Sequence, residues 1–487
     1  LVQGGQPPVA PLADNRGKIA AELSHRMAED PSYSHLRRQL LRVYQADIKT
    51  VDAFCTALLR ENTHLLARDG DKHALTPDFR ILDDSEAALI RRRVLDRVLS
   101  NFYEHLDDGR EQLADTLGAG RDDSALADLV LEFYDKLQSH ASPEGWLLRN
   151  RVAWEKPAAR FDDTTYAQVL LSSLCRRAAH WTDQLCRAAG RTEGDASLEN
   201  GYGAKFLEAA QGFRALSGAG SWEDARRLSE AIVFPRLTTP KGRKDDPDIV
   251  SLKQTWENCK TALKPLQSWL SVTGEEAMED IRALAPAMLA LLDLTADFSE
   301  AFRLEKLRLN AADFSDQEHF ALALLVKPDG SPTELGEQVS ARYAEILVDE
   351  YQDTNEVQNA IFRAVSKDGK NLFTVGDVKQ SIYRFRLADP TIFLEKYAAF
   401  KPHTEAGEGE ERKIVLSRNF RSRQEILDAA NFVFQNILSV EMGDFDYNED
   451  ASLHFGAAYY PSRADCQTEF HLVTVRQKSA ENAHPVK

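Results

Sequence analysis

Three short apolar runs, at residues 345–348, 372–375 and 414–416, are each followed by a stretch with helical periodicity. Strands that alternate with helices are joined by crossovers, so this order predicts βαβ units and a parallel sheet. The same order constrains where a ligand can sit, because such sheets collect ligands at the carboxyl ends of their strands. The polar residues of the region stand at those ends. The first run leads into Asp349 and Glu350, the second into Gly376 and Asp377, and the third into Ser417 and Arg418.

The remainder reads differently. Residues 63–335 have helical patterning almost throughout. Asp83 to Glu86 resembles a capping box ahead of an apolar-periodic run. Leu126, Leu129, Val130, Phe133 and Leu137 recur at helical spacing, which predicts a core-facing stripe. Residues 238–250 form a charged loop containing Pro and Gly, and nothing in the region assembles a catalytic constellation. A helical domain inserted between two parts of something else is expected. Ahead of it, residues 1–15 read as a Gly/Pro-rich tail or connection, 19–41 as helical, 46–50 as a short strand and 51–61 as a helix. The run at 404–411 is a candidate domain junction.

Composition narrows the function classes. A chain of 487 residues exceeds one compact core, so two to four domains are expected. Its 43% hydrophobic and 28% charged residues are those of a soluble globular protein. The longest apolar run, 284–292, contains Pro286 and is far too short to span a bilayer. No basic segment followed by an apolar one opens the chain, so a secretory signal is not expected and a cytoplasmic location is. Cys55, Cys175, Cys186, Cys259 and Cys466 are irregularly spaced without a CxxC pair, which predicts reduced thiols in packed helices. The net charge of −17 argues against uniform coating by nucleic acid, though not against a narrow basic channel.

Three motifs carry chemistry. In the first, Ile346, Leu347 and Val348 deliver Asp349 and Glu350 into the ligand crevice, followed by Tyr351, Gln352 and Asp353. Two adjacent carboxylates suit Mg²⁺-nucleotide hydrolysis: Asp349 holds the metal through water, and Glu350 orients and deprotonates the attacking water. A bare acid pair would more simply end a strand and begin a turn; the extended motif argues against that. Asp353 and Glu356 have capping-box spacing, which makes Asp353 a candidate helix cap. In the second motif, Gly376 permits a turn and Asp377 and Gln380 lie near the nucleotide end. Tyr383, Arg384, Phe385 and Arg386 then interleave aromatics with cations, the composition of a single-strand platform; alone, they would read as an edge strand. In the third, Ser422 and Glu425 form a capping box, which puts Arg421 in a strand-to-helix turn. Such an Arg can act as a finger on a γ-phosphate, the commoner alternative being a surface salt bridge.

Together and in this order, the array resembles motifs II, III and IV of the UvrD-like superfamily 1 helicases. Within that group it is most similar to the AddA-type helicase–nuclease subunits of double-strand break repair. Residues 35–40, 47–55, 59–62, 313–319 and 455–461 also resemble AddA-type segments. The resemblance runs from about Arg16 onward and is loose in the helical region. It implies α/β RecA-like motor domains of the P-loop NTPase type with a large all-α insertion, predominantly helical overall. The first RecA-like domain would comprise 1–62 and 336–403, the 1B-like insertion 63–335, and the start of the second motor domain 411–487.

The resemblance also implies roles. Gln380 would sense the γ-phosphate, Gln352 would couple the metal site to DNA, and Phe420 would pack near the adenine. Phe54, Tyr383 and Phe385 would contact bases, with Thr50 and Arg384 near the DNA backbone. Relatives commonly carry His where this chain has Asp52, so no contact is expected there. ATP and Mg²⁺ are the implied cofactors. The implied partners are single-stranded and duplex DNA and an AddB-like subunit, with no membrane. A standalone UvrD/PcrA-type or RecB-type repair helicase would use the same chemistry; a non-hydrolysing scaffold with a decayed motor fold would not need Asp349, Glu350, Gln380 and Arg421. The sequence has no G-x-x-x-x-G-K-[ST] phosphate loop, since Gly17 and Lys18 are followed by Ile19. That loop is expected upstream of Leu1 and further motor motifs downstream, so the chain reads as an internal part of a longer protein. As it stands it is expected to be inactive, and its motifs include no nuclease or iron–sulfur ligand set.

Overall fold

The computed structural model describes residues 9–30, 32, 36–66, 73–117, 124–367, 369–384, 387–457, 459–460, 468–469 and 471. His35, Phe385, Arg386, Ala458, Pro461 and Cys466, singled out above, lie outside the described residues. The chain divides into two compact units. One comprises Leu1–Ile81, Ser139–Ala141 and Ala312–Lys487, the other Leu82–Gln138 and Ser142–Ala311.

The second unit is built from helices, because its apolar residues recur at intervals that put them on one helical face. Leu126, Val130 and Leu137 of the expected stripe are buried; Leu129 and Phe133 are half-buried, and Tyr134, the residue after Phe133, is buried instead. The unit has two cores. In one, Trp222, Trp256, Phe206, Phe213 and Tyr202 pack together; in the other, Phe298 and Phe302 pack against Tyr134 and Phe102. The 35-residue helix Gly274–Arg308 serves both, giving Met278 to the first and Leu291, Leu294, Phe298 and Phe302 to the second. Its start is set by a capping box of Thr273 and Glu276. Asp83 caps Asp84–Glu104 by accepting the Glu86 amide. The loop that begins at 238 is shorter than expected: Asp246 caps a helix that starts at Pro247.

The first unit holds the strands. Ile346–Val348 pairs in parallel with Leu372–Thr374, in the register Ile346↔Leu372, Leu347↔Phe373 and Val348↔Thr374. The ladder continues past the strand end, where the Val375 amide donates to Val348 O and the Tyr351 amide to Val375 O. Three helices build the core beside them. Glu356–Val365 buries Val357, Ile361, Phe362 and Val365, one face of an amphipathic helix. Phe314–Leu325 packs against both this helix and Val51–Asn62, which contributes Cys55, Leu58 and Leu59.

Several local expectations are corrected. Residues 46–50 pair with no strand; they run into Thr50, which caps Val51–Asn62 by accepting the Ala53 amide at 3.2 Å. The expected tail is helical from Val9. Residues 414–416 are not laddered and are exposed, lying between the short strands Arg412–Lys413 and Arg418–Asn419. β-propensity proposes a strand, but only a hydrogen-bonded neighbour makes one.

Candidate functional site

The first two motifs meet at the carboxyl end of the Ile346–Val348 and Leu372–Thr374 pair. Asp349 and Glu350 are both exposed there. One Asp349 carboxylate oxygen accepts the Glu350 amide at 3.0 Å. Glu350 has φ 51° and ψ 40°, a left-handed conformation in a residue with a side chain. Such a conformation costs roughly 1–2 kcal/mol and persists only where its surroundings hold it. Here they do: the Asp353 amide donates to Glu350 O at 3.0 Å, and Gln352 Nε2 donates to Glu350 Oε2 at 2.8 Å.

Gln352 joins the two motifs. Its side chain is almost wholly buried at 1% exposure. While Nε2 reaches Glu350, Oε1 accepts the backbone amide of Asp377 at 2.9 Å. Gly376 is required by this approach rather than by any unusual φ: a Cβ there would stand 2.7 Å from Gln352 Oε1 and 3.1 Å from Gln352 N. Asp377 then organises its own turn. It accepts from Gln380 Nε2 at 3.0 Å and pairs with Lys379 Nζ at 2.9 Å, leaving Gln380 exposed beside the acids' end of the sheet. Sequence reasoning assigned nothing to Lys379; its position two residues after the acid is the available signal.

Asp353 is not a helix cap. Asn355 is, accepting the Gln358 amide at 2.7 Å, because the chain runs extended through Thr354 before the helix begins. One Asp353 oxygen accepts from Gln352 Nε2 at 3.3 Å, and the other is buried without a hydrogen-bond partner among the described residues. Burial, reinforced by the Glu350 charge, pushes this carboxyl above its usual range, against the opposing Gln352 hydrogen bond.

The other candidates lie elsewhere in the unit. Thr50 and Phe54 open the Val51–Asn62 helix, with Phe54 half-buried. Tyr383 is half-buried, Phe385 is outside the described residues, and Arg384 pairs with Asp444 Oδ2. Arg384 is therefore engaged by a carboxylate rather than free for a phosphate. Arg421 stands in the turn between Arg418–Asn419 and the helix Gln424–Ile437, exposed, and its guanidinium makes no ion pair or hydrogen bond among the described residues. The turn is shaped by Asn419, whose side-chain oxygen accepts the amides of Arg421 at 2.9 Å and Ser422 at 2.8 Å. Ser422 is not the cap that its spacing suggests; Arg423 occupies that position. The exposed Phe420 ring lies over Gly456, where a Cβ would stand 2.8 Å from the ring. No described hydrogen bond or ion pair joins Arg421 to Asp349 or Glu350.

The donor set suits a hydrated divalent cation. The exposed Asp349 carboxylate has one oxygen committed to the neighbouring amide, and the second can accept from metal-bound water. Among the described residues, no group of three or more His, Cys, Asp or Glu forms a metal cage, and no helix is long and apolar enough to cross a membrane.

The sequence matches known proteins along most of its length. The UvrD/REP helicase N-terminal domain model matches residues 16–401. The AddA-type ATP-dependent helicase/nuclease of Acetivibrio thermocellus is 35% identical over 487 residues, covering 95% of this chain and 38% of that protein. The corresponding proteins from Pelotomaculum thermopropionicum and Bacillus licheniformis are each 34% identical, over 95% of this chain and 37% and 38% of their own lengths. The chain thus spans less than two fifths of the length of these relatives. With the family model covering most of its length, the chain belongs to the UvrD/REP helicase family.

Proposed function

We propose that this chain is part of the motor of an AddAB-type helicase–nuclease, which hydrolyses ATP to translocate on single-stranded DNA and unwind duplex for break repair and recombination. The observation that carries the reading is Gln352, a buried side chain that touches both the hydrolytic Glu350 and the turn bearing Gln380. A glutamine placed so can transmit a change at one to the other. In this reading Glu350 takes the proton of the attacking water, and Arg421 stabilises charge that develops in the transition state. Asp349 would hold Mg²⁺ through water, and the ion would supply charge neutralisation on the phosphates. Phe420 would lie near the adenine. Phe54, Tyr383 and Phe385 would stack on bases, with Thr50 beside the backbone and Arg384 reaching it only on leaving Asp444.

The domain reading follows the same line: 1–62 and 336–403 as the first RecA-like domain, 63–335 as the 1B-like helical insertion, and 411–487 as the start of the second. An AddB-like protein is the proposed partner, because the relatives' name makes each of them one subunit of a helicase/nuclease. The cytoplasm is the proposed site of action. The test is ATP turnover by the gene product that carries this chain, with and without single-stranded DNA. Turnover should rise with DNA, and Glu350→Gln should abolish it while nucleotide binding persists. A wild-type protein with no DNA-stimulated turnover would overturn the reading in favour of a scaffold.

A further inference from the structure

Residues 313–318 are not used by the chemistry above, yet four polar ones, Asp313, Asp316, Gln317 and Glu318, are buried. Asp313 and Asp316 form a reciprocal capping box that starts the helix Phe314–Leu325. Gln317, at 0% exposure, accepts the Thr56 hydroxyl from the helix that Thr50 caps and that carries Phe54. Glu318, at 7% exposure, reaches in another direction. Its two carboxylate oxygens accept from Gln358 Nε2 at 2.6 Å and Asn355 Nδ2 at 2.9 Å. Asn355 is also the cap of Glu356–Val365, and it follows directly on the segment that carries Glu350 and Gln352.

We propose that Glu318 is a positioning residue that ties the Thr50–Phe54 helix to the Glu350–Gln352 segment, so that DNA held on the first changes hydrolysis at the second. The inference rests on the motor reading above and adds to it a route to Gln352 separate from the Asp377 turn. Each link is polar, with Gln317 and Glu318 buried and their partners half-buried: Thr56 to Gln317, then Glu318 to Asn355 and Gln358, then three residues of chain to Gln352. A carboxylate is the group this place requires. Two amide NH₂ groups converge on it, and only an acceptor at both oxygens satisfies both. Glutamine would aim its own NH₂ at one of those half-buried donors and set two NH₂ groups against each other.

That asymmetry supplies the experiment. Glu318→Gln breaks one link. Glu318→Gln with Gln358→Glu rebuilds both, since the new Gln accepts from Asn355 and donates to the new Glu. In the gene product that carries this chain, the ratio of DNA-stimulated to basal ATP turnover should fall about 5-fold or more in Glu318→Gln, the lower end of typical coupling between sites. The swapped pair should recover it. Amide exchange across 353–360, measured on the 487-residue chain, should quicken in the single variant and recover in the pair. A ratio unchanged by Glu318→Gln overturns the proposal, as does a swapped pair as defective as the single variant. A loss of thermal stability with an intact ratio also overturns it, making Glu318 a packing residue. Wild-type protein without DNA-stimulated turnover defeats the motor reading itself, whereas a stimulated wild type with an unaffected variant defeats this inference alone.

Discussion

Gly376→Ala tests the junction on which the site depends. The added Cβ would stand 2.7 Å from Gln352 Oε1, 3.1 Å from Gln352 N and 3.2 Å from Phe393 Cε2. The first neighbour is the end of a side chain, but that side chain is buried and bonded at both ends, to Glu350 Oε2 and to the Asp377 amide. The second neighbour is backbone and has no rotamer with which to yield. Gln352 must therefore withdraw. Withdrawal breaks its bond to the Asp377 amide and leaves that donor without its acceptor, at a cost of about 1–3 kcal/mol. Overpacking at a crowded site adds about 1–3 kcal/mol where the surroundings cannot relax. Relaxation will absorb part of this sum, so a local destabilisation of about 2–3 kcal/mol is expected. At about 1.4 kcal/mol per tenfold, amide exchange at Asp377 should quicken roughly 30- to 150-fold. Hydrogen–deuterium exchange on a peptide covering 372–380 measures it directly on this chain. Exchange within about 3-fold of wild type, roughly 0.6 kcal/mol, would show that Gln352 has room to move and that it is not a fixed bridge.

Other outcomes follow from the same site. The 487-residue chain should show no DNA-dependent ATPase, since it contains no Gly-rich phosphate cradle; turnover that copurifies with it through successive columns would refute this. In the gene product that carries it, Arg421→Ala should slow turnover by about 10³–10⁵, the range for an arginine finger. A change of only a few-fold would return Arg421 to the status of a surface cation. Phe385→Ala should weaken single-strand binding about 5- to 150-fold, from roughly 1–3 kcal/mol of stacking per base, with similar losses on mixed-base and thymine-only strands. If stability falls instead by the several kcal/mol of an emptied core site, and binding only in proportion, Phe385 is a core residue.

What the sequence determined by itself is what lies within a few residues along the chain. The helix Val51–Asn62 was legible because its apolar stripe is set by local spacing. The two acids at the end of Ile346–Val348 were legible because a strand's end and its polar successors are adjacent. The motif array was legible for the same reason, and with it the family. The limits of local reading show at the caps. Spacing nominated Asp353 and Ser422, while the structure uses Asn355 before one helix and places Arg423 at the start of the other. Several residues fit a cap by type, and which one serves depends on where the incoming strand releases the chain. Only the tertiary structure decided the rest. Residues 414–416 have strand composition without a strand's neighbour. Arg384 has the type of a phosphate ligand, but Asp444, sixty residues away, takes its guanidinium. Gly376 reads locally as a turn, and its true constraint is the approach of Gln352 from the turn after another strand. Glu318 lies in a segment that resembles the family, but nothing local shows what it bonds, because both its hydrogen-bond donors lie far along the chain, at Asn355 and Gln358. Hydrogen bonds made between distant segments leave no periodicity in either of them, and folding alone brings such pairs together.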